Sequence, residues 1–259
     1  MTAPHTKKAP AAQENPLANI LVNVILPVLA LDKLSVDPAF ADDPKLYHIG
    51  PTWAVLIGLA LPIGYGIWFF IKYKKSNLFS WIGVGSVLLT GSLIFYLWNS
   101  DGTIKPNAAQ LFGLKEGSIP LVLGVTILLS HWSKTPLLNT FLYSDTIFDI
   151  KRIEKEIQLN QKEDQYKKLL FSSTVLFSSS FLISTVLNFF LAIHFLGDID
   201  VNAADARTQF TQKVSSIMWW GFLVIGAPIL VVLSFLLFRL LKGLRQITGL
   251  SNDEITLPR

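Results

Sequence analysis

The chain has 259 residues, of which 51% are hydrophobic and only 15% are charged, and its mean hydropathy is +0.47. This composition is too apolar for an ordinary soluble domain of that length. The absence of cysteine excludes disulfides, thiolate catalysis and cysteine-ligated metals, and the net charge of +4 requires no nucleic acid partner because membrane proteins place Lys and Arg in this way.

Residues 16–34 form the first and weakest candidate span, because the charge-free run within them contains Asn19, Asn23 and Pro27. The alternative is a secretory signal peptide, since two lysines precede the run and an Ala-Phe-Ala sequence resembling a cleavage site follows it. The segment between the run and that sequence is long for a signal peptide and contains three charged residues. A retained helix is therefore favoured.

Five further stretches lack Asp, Glu, Lys and Arg over a length that can cross a bilayer. A hydrocarbon core of roughly 30 Å needs about 20 helical residues, and lipid offers no partners for backbone polar groups, so each stretch is predicted to be a helix. The predicted spans two to six are 52–71, 78–98, 117–133, 169–195 and 215–240. The predicted fold class is all-α: a polytopic six-helix transmembrane bundle over residues 15–245.

The distribution of basic residues predicts the orientation of these spans. With both termini in the cytoplasm, 16 of the 22 Lys and Arg residues fall on the cytoplasmic side, which is the bias that sets membrane topology. Residues 1–14 are then a cytoplasmic N-terminal tail, and residues 246–259 are a cytoplasmic C-terminal tail.

A cytoplasmic amphipathic helix is predicted between spans four and five, over residues 145–168. Ile147, Ile150, Ile153 and Ile157 recur there at helical spacing, so one face is apolar. An interfacial helix lying on the membrane is the favoured interpretation. A docking surface for a soluble partner is the alternative.

Charged pairs at two span ends are candidate functional groups. Asp32 and Lys33 close span one, and Lys115 and Glu116 open span four, both on the outer side in the predicted topology. Cross-helix ion pairs beneath the outer loops are one expectation. Such residues more commonly extend their charged ends to the membrane surface than form a substrate gate.

Amides within the spans are the other candidates. Asn19 and Asn23 are one helical turn apart in span one, and Asn188 lies in span five. Amides in lipid bond to neighbouring helices, so stabilisation of helix packing is the default interpretation. The alternative is that these three side chains line an internal polar cavity.

Catalytic and cofactor patterns do not emerge from the sequence. His131 and His194 are predicted at opposite membrane faces, so they cannot share one haem iron. The sequence also lacks G-x-S-x-G, H-E-x-x-H and a phosphate-binding Gly-Lys-Ser/Thr run. No cofactor, metal or enzymatic activity is therefore predicted.

Spans two to four contain an ordered series of short motifs. They are the basic turn Lys72-Tyr73-Lys74-Lys75, the Leu78–Gly83 and Leu88–Leu93 runs, the Leu114–Pro120 helix start and the Lys134–Leu138 end. This series, over roughly residues 55–145, resembles the septation protein A family of inner-membrane proteins, with Lys115 and the Lys134–Leu138 segment at matching positions. The long cytoplasmic loop and the Gly197–Lys213 loop depart from that pattern, which indicates a six-span relative.

The resemblance implies a bacterial inner-membrane location and a role in cell-envelope maintenance through membrane partners, without enzymatic activity. Two function classes follow. The first is a non-enzymatic protein that acts by association with a membrane-protein partner or a second copy of itself within the lipid bilayer. The second is a small-molecule or lipid transporter with a polar path between spans one, four and five.

Overall fold

The protein is described here from a computed structural model, which covers residues 16–73 and 78–257 and the side chains of these residues except 16 and 78–83. The predicted N-terminal tail and the Lys74-Lys75 part of the basic turn lie outside the described residues. Within them, all regular structure is helical. The helices are α1 at residues 16–34, α2 at Pro51–Tyr73, α3 at Leu78–Leu97, α4 at Ala108–Ser130, α5 at Leu137–Phe141, α6 at Ile150–Leu159, α7 at Glu163–Leu196, α8 at Ala206–Thr248 and α9 at Asn252–Ile255.

Five of these helices are long enough and apolar enough to cross a membrane: α1, α2, α4, α7 and α8. The predicted all-α class is thereby confirmed, and the five helices are consistent with the predicted membrane-spanning character. The remaining predicted span corresponds to α3, a helix of 20 residues whose described apolar part is Val84–Leu97. The count of six spans stays a prediction.

Several helices extend well beyond the spans predicted from charge-free runs. Helix α4 begins at Ala108 instead of residue 117, and α8 runs from Ala206 to Thr248 instead of 215–240. Helix α7 has 34 residues, about 51 Å at 1.5 Å per residue, which exceeds the roughly 30 Å of a hydrocarbon core. A charged residue ends an apolar run but does not end a helix, because its side chain can reach water while the backbone bonds continue.

Proline explains two departures from regular α-helix. Segments of wider π-helix occupy Leu21–Ile25 in α1 and Phe222–Gly226 in α8, and each ends two residues before a proline, Pro27 and Pro228. Because proline lacks an N–H and its ring crowds the preceding turn, the helix widens there. Pro62, by contrast, lies inside α2 without interrupting it.

The chain divides into two compact units. The first comprises residues 1–106 and 199–218, and the second comprises residues 107–198 and 219–259. In the first unit, the side chain of Leu31 in α1 packs 3.5 Å from the position of a Cβ at Gly58 in α2. Leu59 of α2 in turn packs against Gly91 of α3. Short side chains at these crossings allow neighbouring helices to approach closely.

Helices α4 and α7 form the main helix pair of the second unit. A Cβ added at Gly113 would lie 3.1 Å from the carbonyl oxygen of Phe189, and one added at Gly117 would lie 3.1 Å from that of Thr185. The Ser178 hydroxyl donates to the Gly124 carbonyl oxygen at 2.7 Å. The glycines of α4 therefore place its backbone directly against α7.

The loop and tail of the second unit fold together into what we call the loop–tail assembly, residues 137–160 with 244–257. Its core includes the fully buried residues Tyr143, Phe148, Ile153 and Ile255. Phe148 and Thr256 form an isolated antiparallel bridge. The assembly joins segments about 100 residues apart in the sequence.

This assembly corrects the predicted cytoplasmic helix of residues 145–168. Helix α6 covers only Ile150–Leu159, because the Asp149 carboxylate accepts the Arg152 N–H and fixes its start. It ends at a tight turn in which Gln161 has a φ of 53°, and residues 163–168 belong to α7. Moreover, the apolar face that was expected to lie on lipid is covered by protein, since Ile153 is 0% exposed.

Candidate polar sites

The two asparagines of the first span bond to each other. The Asn23 amide donates from Nδ2 to Oδ1 of Asn19 at 3.1 Å, and both side chains are half-buried. An i,i+4 pair of this kind satisfies part of the hydrogen-bonding capacity of each amide within one helix. The geometry therefore fits local stabilisation of α1, and the described hydrogen bonds do not join these amides to another helix.

Asp32 and Lys33 also pair locally. Lys33 Nζ lies 2.8 Å from Asp32 Oδ2, with side chains 65% and 40% exposed respectively. An exposed ion pair between neighbouring residues contributes little to stability. The expected cross-helix ion pair is thus absent at this position among the described residues. The link from this turn to another helix uses the backbone, where Gln212 Nε2 donates to the Asp32 carbonyl oxygen at 3.4 Å.

Lys115 and Glu116 form the most enclosed charged pair among the described residues. Lys115 Nζ lies 2.7 Å from Glu116 Oε1, and the two side chains are only 7% and 25% exposed. The ammonium also lies 5.8 Å from the centre of the Phe112 ring. The pair does not open the helix as expected, because α4 begins seven residues earlier at Ala108. A lysine buried in an apolar helix is uncommon and is a candidate for function.

Asn188 bonds back to its own helix. Its Nδ2 donates to the Ser184 carbonyl oxygen at 2.8 Å and to the Ser184 hydroxyl at 3.2 Å. Ser184 is buried, whereas Asn188 is half-buried. The described bonds of this amide stabilise α7 and do not cross to a neighbouring helix.

The loop–tail assembly contains a network of charged contacts. Arg152 Nη2 donates to Glu254 Oε1 at 2.5 Å, and the Ser251 N–H and hydroxyl both donate to Glu254 Oε2 at 2.9 Å. These hydrogen bonds from Ser251, backbone first, lower the pKa of Glu254, and Arg152 adds to the effect. Burial raises the pKa of Tyr143, so that phenol stays neutral.

Asn160 of this assembly and Lys162, two residues beyond it, cap the end of α8. The Asn160 amide donates to the Thr248 carbonyl oxygen at 3.2 Å, and Lys162 Nζ donates to that of Gln246 at 3.3 Å. Gly249 follows with a φ of 78°, a left-handed conformation that favours glycine. A cation at the helix C-terminus also stabilises the helix dipole.

A cavity of about 500 Å³ lies in the first unit, and no sequence pattern predicted it. Four segments near residues 37–40, 49–53, 101–102 and 204–208 line it. Its charged groups are Asp37, Asp101, Asp205 and Arg207. Each of the three aspartates follows a span or precedes one, so in the sequence each is indistinguishable from a solvated turn residue.

Five apolar helices of spanning length indicate a helical membrane protein. No protein-family model, curated protein or solved structure matches it. The fold and the polar contacts described above are therefore the basis for the function proposed below.

Proposed function

We propose that the chain is a non-enzymatic bacterial inner-membrane protein that acts in cell-envelope maintenance by associating with membrane partners. The observation that supports this most directly is the loop–tail assembly. Its core holds α6 in one orientation, so that the charged residues Lys151, Arg152, Glu154 and Lys155 remain exposed. A charged surface on a fixed scaffold suits recognition, because little conformational freedom is lost on binding.

The packing of the membrane helices is consistent with this proposal. The Gly113, Gly117 and Gly124 contacts place α4 directly against α7 at three points. The amides of Asn19, Asn23 and Asn188 are bonded within their own helices. Such contacts favour stable helix association.

A genetic complementation experiment tests the association. In a strain of the source organism that lacks the protein, we expect greater entry of a large dye that the envelope normally excludes, and the wild-type chain should restore exclusion. The double charge reversal Lys151→Glu with Lys155→Glu should fail to restore it, although the variant reaches the membrane at normal abundance. Gln158→Ala, an exposed change on the same helix, is the matched control and should restore exclusion.

Two outcomes would contradict the proposal. Unchanged permeability in the strain lacking the protein would remove the envelope role. Full restoration by the charge-reversed variant would show that this surface does not mediate the association.

A second candidate function is transport of a small molecule or lipid, and the enclosed Lys115–Glu116 pair favours it. Charges in apolar spans commonly mark a transport path. Reconstituted vesicles loaded with a panel of labelled solutes test this idea. If the chain transports, Lys115→Ala should abolish flux. If it acts by association, the same change should alter stability only, because Glu116 loses its partner. The double variant Lys115→Ala with Glu116→Ala separates the effects, since it leaves no unpaired charge.

A further inference from the structure

The cavity of the first unit carries charges of both signs that do not pair with one another. Three carboxylates, those of Asp37, Asp101 and Asp205, share the lining with the guanidinium of Arg207. Among the residues that the structure describes, no nitrogen of Arg207 lies within 4.0 Å of these carboxylate oxygens. Negative charge is therefore in excess, and the positive group is kept apart from it.

Other contacts hold Arg207 at the cavity wall. Its guanidinium carbon lies 5.4 Å from the centre of the Trp98 ring, and Nη2 donates to the Asn99 carbonyl oxygen. Its Nε is buried and has no hydrogen-bond partner in the described part of the chain. The buried Nε is not reached from the cavity, but the described hydrogen bonds use only Nη2, so the N–H donors of Nη1 leave this guanidinium capacity for an anionic group.

The carboxylates also retain unused capacity. In Asp37, Asp101 and Asp205, the described hydrogen bonds engage only Oδ1. Each second oxygen can accept further donors. In the described residues, no group of three acidic or histidine side chains is close enough to hold a metal ion. A primary ammonium carries three N–H donors, and each can bond to a carboxylate oxygen that still has an open lone pair.

The position of the cavity indicates where such a ligand would come from. Pro51 and Trp53 line it and form the first turn of the candidate span α2. Trp53 is 62% exposed and Phe40, also in the lining, is 56% exposed. Tryptophan at the end of a span is typical of the lipid headgroup level. The rim therefore carries exposed apolar side chains at the level where lipid chains begin, together with the exposed Asp101, whereas Asp37, Asp205 and Arg207 are half-buried.

We propose that this cavity binds the headgroup of a zwitterionic lipid whose cation is a primary ammonium, of the phosphoethanolamine type. The ammonium would donate to free carboxylate oxygens of the lining, and the phosphate would accept from Arg207. A volume of about 500 Å³ lies in the range of small-molecule sites. This inference does not depend on whether the protein acts by association or by transport.

Native mass spectrometry of the full chain in detergent tests the inference. The protein is titrated with phosphatidylethanolamine, phosphatidylcholine and phosphatidylglycerol that carry identical acyl chains. Phosphatidylethanolamine should bind about tenfold more tightly than phosphatidylcholine, because a quaternary ammonium has no N–H to donate. Equal binding of these two lipids by the wild-type chain would overturn the inference without any need for a variant.

Variants then locate the site. Asp101→Asn with Asp205→Asn keeps the acceptor oxygens that the turns use, and it should weaken phosphatidylethanolamine binding about tenfold while phosphatidylcholine binding is unchanged. Asp200→Asn is the matched control, since Asp200 is an exposed acid of the same unit outside the cavity. A double variant that keeps the preference, or a control that loses it equally, would overturn the assignment.

Soluble O-phosphoethanolamine distinguishes a lipid from a free ligand. If the site recognises lipid, the soluble compound at the same concentration should displace little phosphatidylethanolamine, since it lacks the contacts of the acyl chains with the apolar rim. Displacement at equal concentration would overturn the lipid as the source of the headgroup.

Discussion

The helix pair α4 and α7 and the loop–tail assembly belong to the same unit but are stabilised in different ways. The helix pair relies on small residues, with Gly113, Gly117 and Gly124 placed against the α7 backbone and side chains. The loop–tail assembly relies on large ones, since Tyr143 and Phe148 are 0% and 1% exposed. Charged side chains such as Lys151 and Lys155 are exposed on the assembly, whereas apolar side chains such as Ile183 and Phe190 are exposed on α7.

The difference reflects the solvent that each region meets. In water, burying a large apolar side chain removes apolar surface from the solvent and is strongly favourable. In lipid that driving force is lost, because the acyl chains are as apolar as the side chains, so close packing and hydrogen bonds must hold helices together. The two regions therefore should respond to opposite kinds of substitution.

Removal of a large side chain should harm the loop–tail assembly most. We expect Phe148→Ala to destabilise it by about 3–5 kcal/mol, since a buried ring is lost and a cavity remains. Hydrogen exchange of residues 147–157 and 251–257 in the detergent-solubilised protein would measure the effect. Ile147→Ala is the neighbouring control, because Ile147 is 44% exposed. An equal effect of the two changes would contradict a packed core here.

Addition of a large side chain should harm the helix pair. Gly117→Leu places a side chain where the Thr185 carbonyl oxygen lies only 3.1 Å from the Cβ position, and we expect a loss of about 1–3 kcal/mol. Thermal unfolding in detergent provides the measurement. Gly64→Leu is the control, because no atom lies within 4 Å of its Cβ position. If both variants unfolded at the same temperature, close packing would not stabilise the pair.

A smaller effect should follow from the hydrogen bond between these helices. Ser178→Ala removes the bond to the Gly124 carbonyl oxygen, and such bonds in membranes contribute about 0.6 kcal/mol on average. Ser234→Ala is a matched control, since the Ser234 hydroxyl bonds within its own helix to Leu230. We expect a measurable decrease in unfolding temperature for the first variant only, and the reverse order would contradict the assignment.

The sequence predicted the helices better than it predicted what surrounds them. Charge-free runs located the apolar helices because lipid leaves the backbone no alternative. The isoleucine spacing also identified α6, but the partner of its apolar face could not be inferred. An apolar helix face can pack equally well against lipid or against protein. The pairing of Phe148 with Thr256 joins residues that are too distant in sequence for local patterns to reveal.

The polar groups show the same division. Asn19 bonds to Asn23, and Asn188 bonds to Ser184, within single helices, whereas bonds to neighbouring helices were the default expectation from the sequence. The expected cross-helix ion pairs were not found in the described residues because each charge pairs with its neighbour in sequence. The cavity with Arg207 was missed because its charges come from separate loops, and only the fold brings them together.

Acidification should weaken the loop–tail assembly, and this is the smallest effect that we expect. Hydrogen bonds from Ser251 hold the pKa of Glu254 below its ordinary value of 4.5. When folding lowers the pKa of a carboxyl, the ionised carboxyl stabilises the fold at pH values above its unfolded-state pKa. This contribution is lost as the pH falls from 4.5 through the lowered folded-state pKa. Hydrogen-exchange protection of residues 251–257, corrected for intrinsic rates, should therefore decline below pH 4.5. Glu254→Gln should remove the decline, because its side chain does not titrate, whereas a decline of equal size in that variant would assign the effect to another group.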